Sequence, residues 1–302
     1  MSEKEYWVIS RPKRKLILVP DLLKIFSATA LGQTWSRNRD LQKRFENNLT
    51  DAKWKAQNLS DDGSGGRTYA VLLYLLGLWY EDDNDAVRIT LAGQEILDGE
   101  PPVPIITKQL LDFQYPSPYS IKTNVNVSRS FRVRPFRFIL NLFLERNMER
   151  LTQDEIAFCL VPYAKNDSCQ ELCLEKIHDF RINPSNSIDQ AVRDSVTTED
   201  NLRNIGNTVV NNFEYSGYFI EQEDIKSLVI KPTKIQESIS FLNKLRTSLI
   251  QNPEDSQTFQ KRFGTGLNKS KDYSDSIRRP LSINPNERKI LEQFYIIASN
   301  EP

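Results

Sequence analysis

The sequence predicts a mainly α fold with small β wings (α+β), made of two tandem copies of one unit followed by a helical linker. Two observations predict it. Residues 67–118 read as helix, glycine, strand, turn, strand, helix, and the same order returns around Gly217. In the first copy a short helix is apolar almost all round (Tyr69, Val71, Leu72, Leu73, Leu75, Leu76). Gly77 breaks it, and Leu78-Trp79-Tyr80 reads as a strand. An acidic tip over 81–85 turns the chain, Val87-Arg88-Ile89-Thr90 returns, and 91–97 is helical. This is the local grammar of a winged helix. A helix apolar on every side is a core helix, so only its amino end, around Gly66, Arg67 and Thr68, is left to face a partner.

In the second copy 202–215 is helical, Gly217 breaks it, Tyr218-Phe219-Ile220 starts a strand, 221–224 turns, and Leu228-Val229-Ile230-Lys231 returns before a helix over 235–242. Gly77 aligns with Gly217, Trp79 with Phe219, and Arg88-Ile89-Thr90 with Val229-Ile230-Lys231. Two matches in register point to duplicated modules. The expected organisation is a first winged-helix subdomain over 1–118, a connection over 119–135, a second subdomain over 136–240 and a helical linker or tail over 241–302.

Forty basic and forty acidic side chains give zero net charge, so any anion-binding surface must come from segregation of charge. The longest apolar run, 70–80, is far short of a membrane span, and the opening MSEKEYW has no apolar signal region. Three cysteines without a CxxC pair fit a reducing compartment. The expected location is cytoplasmic, with no membrane partner.

Taken in order, the apolar segment Tyr6-Trp7-Val8-Ile9 precedes a basic block that includes Lys13 and Arg14, either a solvated arm or a phosphate grip. Residues 16–19 read as a strand and Pro20 opens a helix over 21–26. Ser36, or else Asp40, caps a helix whose inner face is Leu41, Phe45 and Leu49, with Arg37 and Arg39 at its start. The glycine-rich stretch 61–66 reads as a flexible linker, because no Gly-Lys-Ser/Thr follows to make a phosphate loop. Residues 105–113 are helical. The connection 119–135 is polar and ends in Arg129, Arg132, Arg134 and Arg137, interleaved with Phe131, Phe136 and Phe138. That pattern either docks a nucleic-acid backbone or sends the rings inward and the arginines to water.

Pro135 suits the first turn of a helix over 135–146. Thr152 and Glu155 form a capping box for a helix ending at Pro162, 169–180 is helical, and 181–198 is polar and irregular. The helix over 202–214 buries Leu202, Ile205, Val209 and Phe213. Its outer face carries Asn204, Asn207, Thr208 and Asn211, with Arg203 at the edge. Asparagine is a mediocre helix former that can pair with adenine through two hydrogen bonds, although an ordinary polar face looks the same. From residue 235 the chain is helical to about 250, loosens, and ends in a short helix over 286–298.

His178 is the sole histidine, so mechanisms built on a histidine pair are excluded. Cys169, Cys173 and His178 read as ordinary helix residues, since a closed zinc site needs about four ligands. A metal-dependent nuclease needs two carboxylates with a lysine beside the second. The acid-x-lysine sequences, Asp51-Ala52-Lys53, Asp224-Ile225-Lys226 and Glu287-Arg288-Lys289, do not end an apolar strand with a second carboxylate upstream. No catalytic or metal-binding residue is assigned.

The run from Trp79 through Pro118, WYEDDNDAVRITLAGQEILDGEPPVPIITKQLLDFQYPSP, resembles the amino-terminal recognition region of the AlwI-like type IIS restriction and strand-nicking endonucleases. So do YWVISRPKRK, TWSRNRDLQKRFENNL, LTQDEIAFCL and FEYSGYFI, in order, over about residues 5–235. The resemblance implies winged-helix subdomains that read a short asymmetric site in double-stranded DNA. It also implies a helical linker and a carboxyl-terminal PD-(D/E)xK domain that cuts outside the site with magnesium. The sequence departs from the family in stopping where the linker would be, so no cofactor is expected in this chain, magnesium belongs to the cleavage domain, and a separate nuclease domain or subunit is an expected partner. Base reading is expected from Arg67, Thr68, Asn204, Asn207 and Asn211, with Arg203 beside them, and phosphate grip from Lys13, Arg14, Arg37, Arg39, Arg132 and Arg134. Two other readings stay open: a winged-helix protein-interaction scaffold, and a complete magnesium-dependent endonuclease with an unrecognised site.

Overall fold

Apolar residues at helical spacing run through most of the described residues, whose strands are short, so the protein is mainly helical with small antiparallel sheets. The computed structural model describes residues 3–10, 16–52, 60–146, 148–222 and 227–267, without the side chains of 220–222. Residues Met1–Leu267 form one compact unit, and 268–302 lie outside the described residues. The basic residues Lys13 and Arg14, the 286–298 helix and all or part of each acid-x-lysine sequence fall outside them too.

A 3-10 turn, Leu16–Leu18, runs directly into α1 (Val19–Ala30). The strand expected at 16–19 is therefore corrected: Leu16, Val19, Leu22, Leu23 and Phe26 are all buried, a helical period that began earlier than Pro20 suggested. Helix α2 (Arg39–Asp51) is capped by Asn38, whose side chain accepts from the Leu41 N–H at 3.1 Å, and not by Ser36 or Asp40. Ser36 is held elsewhere, its N–H and Oγ both donating to the Glu81 carboxylate at 2.7 and 2.6 Å. Helix α3 (Ser64–Leu75) takes in two glycines of the expected linker. The role of Gly66 is close approach, since a Cβ on it would lie 2.3 Å from the Gln42 carbonyl oxygen of α2.

Strands β1 (Trp79–Glu81) and β2 (Val87–Ile89) pair antiparallel with Trp79 opposite Ile89. The chain just after α1 touches β2 on its other side, through bridges at Leu31–Val87 and Thr34–Ala86. Helices α4 (Leu91–Leu97) and α5 (Pro102–Asp112) follow. A second sheet follows later in the chain. After α6 (Pro135–Glu145) come β3 (Leu151–Thr152) and α7 (Gln153–Glu155), which carries the expected Thr152–Glu155 capping box and continues as a π turn, Ile156–Leu160. Strands β4 (Phe219–Gln222) and β5 (Ser227–Ile230) join β3 in the order β3-β5-β4. In the second sheet the returning strand β5 is central, whereas the first sheet has two strands and its returning strand β2 meets the chain after α1 only through isolated bridges.

Between β3 and the second hairpin lie α8 (Gln170–Ile182), α9 (Pro184–Ser195) and α10 (Glu199–Tyr215). The irregular 181–198 segment is thus corrected to a helix. Asn183 caps it, Pro184 sits in its first turn, and Ala191 and Ser195 form its buried face. After α11 (Ile235–Leu242) the chain leaves helix well before residue 250, and α12 (Ser256–Phe263) packs on β1.

Aligned aromatic residues organise both halves. Trp79 packs on Phe26, Trp35 and Tyr74, while Phe219 packs on Phe143 and Phe213. Phe113 meets Phe136 edge-on at 6.2 Å, and Val125, Val127, Phe131 and Val133 of the expected polar connection are buried in the same core. Their burial is favourable at about 25 cal/mol per Å² of apolar surface. Residues 243–267 then strap back across the first half. Gln109 Nε2 donates to the Leu76 and Phe263 carbonyls, the Ala92 N–H to Gly264 O, and the Leu267 N–H to Glu95.

Candidate nucleic-acid interface

The exposed cations of the first half lie along α2. Leu41, Phe45 and Leu49 face inward, which turns Arg39, Lys43 and Arg44 to solvent. Arg39 and Lys43 are one helical turn apart and share a face. Just before them Arg37 is exposed with φ at 63°, an uncommon backbone for a side-chain-bearing residue. It is fixed between the Ser36–Glu81 clasp and the Asn38 cap. Neither Arg37, Arg39, Lys43 nor Arg44 has an ion-pair partner among the described residues. The amphipathic period of Arg39-Asp40-Leu41-Gln42-Lys43-Arg44 carried the signal for Lys43 and Arg44, which the sequence reasoning passed over.

The amino end of α3 does not present bare N–H groups. Gly63, its N-cap, has no side chain to offer, and carboxylates fill the role instead. Buried Glu46 of α2 accepts from Ser60 N at 2.9 Å, from Ser60 Oγ and from Gly66 N at 3.4 Å. Asp62 accepts from Ser64 N at 3.0 Å. These anions complement the positive end of the helix dipole. Arg67, half-exposed, donates through Nη1 to Gln42 Oε1 and Asp62 O and through Nη2 to Asp62 Oδ2. Thr68 is exposed, with its hydroxyl donating back to Ser64 O at 2.9 Å. Contact of α3 with α2 therefore brings Arg67 beside the Arg39–Lys43 strip.

The acidic tip of the first hairpin is largely bound within the protein. Burial works against ionisation of Asp82. The Arg88 guanidinium and the Asn84 and Ala86 N–H groups outweigh it and hold the carboxyl below the ordinary range. Asp83 accepts from Gln257 Nε2 at 3.1 Å.

On α10 the expected outer face is partly corrected. Asn204, Asn207 and Asn211 are half-exposed, but Thr208 is buried and donates to Asn204 O. Asn211 Nδ2 donates to both Asn207 O and Asn207 Oδ1, at 2.7 and 2.8 Å, so one asparagine orients the other. Arg203 is spent internally. It binds Asp154 of α7 and Glu199 of its own helix and lies over the Phe158 ring. Two carboxylates on one guanidinium leave a local excess of negative charge, which opposes the DNA contact expected for Arg203 beside the asparagines.

The arginine run after the connection divides. Arg132 is exposed, its backbone N–H donating to Lys165 O at 2.6 Å. Arg134, expected to grip phosphate, is buried and donates to the Thr247 and Ser248 carbonyls of the strap. Burial, then the neighbouring Arg137 charge, push its pKa down to about 10, so it stays charged and acts as a clamp. Arg132 stands on a separate segment from the α2–α3 cluster. Helices α3 and α10 share a crevice: Leu72 and Leu75 of α3 and Asn212 of α10 line it with Ser10 and Leu16, the described ends flanking the basic block.

Among the described residues no three His, Cys, Asp or Glu side chains are grouped to hold a metal ion. Among them, no helix is long and apolar enough to cross a membrane.

No curated protein matches the chain. Its fold is similar to a solved structure described as pyrene- and phenanthrene-modified DNA in complex with the BpuJ1 endonuclease binding domain. The match has a TM-score of 0.56 and 14% identity, and covers 88% of this chain and 96% of that one. At that identity the likeness shows shared architecture alone. The sequence itself matches the AlwI restriction endonuclease family over residues 74–285, and on that match the chain belongs to the family.

Proposed function

We propose that this chain recognises a short asymmetric sequence in double-stranded DNA, as the recognition part of a type IIS restriction or nicking endonuclease. Two winged-helix modules carry the recognition, with α3 and α10 as the helices that face the bases. The observation supporting it is that each half has a helix with polar side chains toward solvent followed by an antiparallel hairpin, α3 before β1–β2 and α10 before β4–β5. Arg67, Thr68, Asn204, Asn207 and Asn211 are the proposed base readers. Arg37, Arg39, Lys43, Arg44 and Arg132 are the proposed phosphate contacts, together with Lys13 and Arg14. A magnesium-dependent nuclease domain or subunit supplies cleavage.

A mobility shift with random duplex at low salt, followed by selection from a randomised duplex pool, tests the reading. Binding that weakens steeply with salt and an enriched asymmetric site are expected. A chain that binds no duplex at low salt is a protein scaffold instead. Nicking of plasmid by the purified chain with magnesium would mean the cleavage site is present as well.

A further inference from the structure

Resting on the DNA-recognition reading, we infer that Asp62 and Gln42 are positioning residues that make Arg67 a reader of guanine rather than a grip on phosphate. Gln42 is buried and its amide is fixed from both ends. Its Nε2 donates to Trp35 O at 2.9 Å, which turns Oε1 toward Arg67 Nη1 at 2.8 Å. The first turn of α3 reaches that amide only because Gly63 and Gly66 lack side chains. A Cβ on Gly63 would stand 3.0 Å from Gln42 Cβ, and one on Gly66 closer still to the Gln42 backbone. Asp62 holds the other side, with Oδ2 2.7 Å from Nη2 and Oδ1 on the Ser64 N–H.

Two consequences follow for Arg67. Its rotamer freedom is already spent, so binding does not have to remove it. Its charge is also matched by a carboxylate, while its remaining N–H donors have no partner among the described residues. Asp62 repels an anionic phosphate but not the neutral O6 and N7 acceptors of guanine, which an arginine meets with two parallel N–H groups. Arg37, Arg39 and Lys43, nearby and without a carboxylate partner among the described residues, keep the opposite preference. The structure thus divides the cations of this face into phosphate contacts and one base reader.

The test compares the full-length protein with its Asp62→Asn, Gln42→Met and Arg67→Ala variants, by selection from a randomised duplex pool and by titration of a random duplex against salt. In Asp62→Asn the side-chain amide oxygen can still accept from the Ser64 N–H, and melting curves confirm folding. The wild type should enrich a site with a fixed guanine. All three variants should lose preference at that one position, by about tenfold to a hundredfold, and keep it at the others. Asp62→Asn should also bind random duplex more tightly, with a salt slope steeper by about one unit. Unchanged guanine preference and salt slope in Asp62→Asn would overturn the inference while leaving DNA recognition intact. A wild type that enriches no sequence would overturn the recognition reading and the inference with it.

Discussion

Gln114 and Ile250 hold each other by both ends. The Ile250 N–H donates to Gln114 Oε1 at 2.8 Å, and Gln114 Nε2 donates back to Ile250 O at 3.0 Å, with both residues buried. A side-chain amide here replaces a strand neighbour and satisfies both backbone groups of a residue that has left regular structure. Truncating it strands a buried donor and a buried acceptor. Gln114→Ala should therefore lower unfolding free energy by about 2–4 kcal/mol, read by denaturant titration. A loss below about 0.5 kcal/mol, the range of neutral surface changes, would show that water replaces the clasp.

The far end of the same strap depends on a missing methyl group. A Cβ on Gly264 would lie 2.3 Å from Gly77 O and 2.5 Å from Thr90 Cβ, and both neighbours are backbone or fixed by hydrogen bonds. Thr90 caps α4 and donates to Gly77 O at 2.6 Å. Gly264→Ala should lift the strap locally and expose Lys261 and Arg262 to trypsin faster than in the wild type. Equal cleavage rates would mean that the notch yields without release.

Hairpins and helix periods were legible in the sequence because they are local. Gly77, Trp79 and the Thr152–Glu155 box each announce themselves within a few residues. The fates of the arginines were not legible. Arg132 and Arg134 are two positions apart, so simple strand alternation would send both the same way; Arg134 is buried because carbonyls over a hundred positions away arrive to receive it. Helix α9 was missed because its polar composition hid a narrow buried face, and the strap because its hydrogen bonds run to distant backbone groups and its buried apolar residues, Leu245, Ile250, Phe259 and Phe263, are few and unevenly spaced. The candidate site was half readable: Asn207 and Arg67 stand near solvent as expected, but the residues that orient them are partners in space, not in sequence.

Arg132 and Arg134 should consequently separate in experiment. Arg132→Ala should weaken binding to every duplex and flatten the salt slope by about one unit, with little change in melting temperature. Arg134→Ala should destabilise the fold by about 3–5 kcal/mol, as removal of one partner from a buried charged network does. Matching salt slopes for Arg132→Ala and wild type would remove Arg132 from the phosphate contacts.

The asparagine pair on α10 makes a different prediction. Asn211 fixes the Asn207 amide, leaving Asn207 Nδ2 without a partner among the described residues. Asn207→Ala should cost about 1–3 kcal/mol on the selected site and little on random duplex. Asn211→Ala should lose part of the same preference by freeing the Asn207 rotamer. If both changes weaken cognate and random binding equally, the pair is an ordinary polar face.

Asp62 offers a readout that needs no DNA. Hydrogen bonds from Arg67, then from Ser64, hold its carboxyl at about 2, against an ordinary value of 3.8. The folded pKa lies below the unfolded one, so the favourable interaction is complete above the ordinary carboxylate range and disappears as pH falls through about 2. The Asp62–Arg67 pair should therefore stay intact from neutral pH down to mild acid, and guanine preference should not vary with pH between about 5 and 8 through this residue. Following the carboxyl carbon of Asp62 by NMR should give a midpoint near 2 in the wild type. In Arg67→Ala the midpoint should rise toward 3.8, because the Ser64 contacts alone remain. A midpoint near 3.8 in both proteins would show that the two side chains do not hold each other in solution, and would leave Arg67 an unrestrained cation free to follow phosphate.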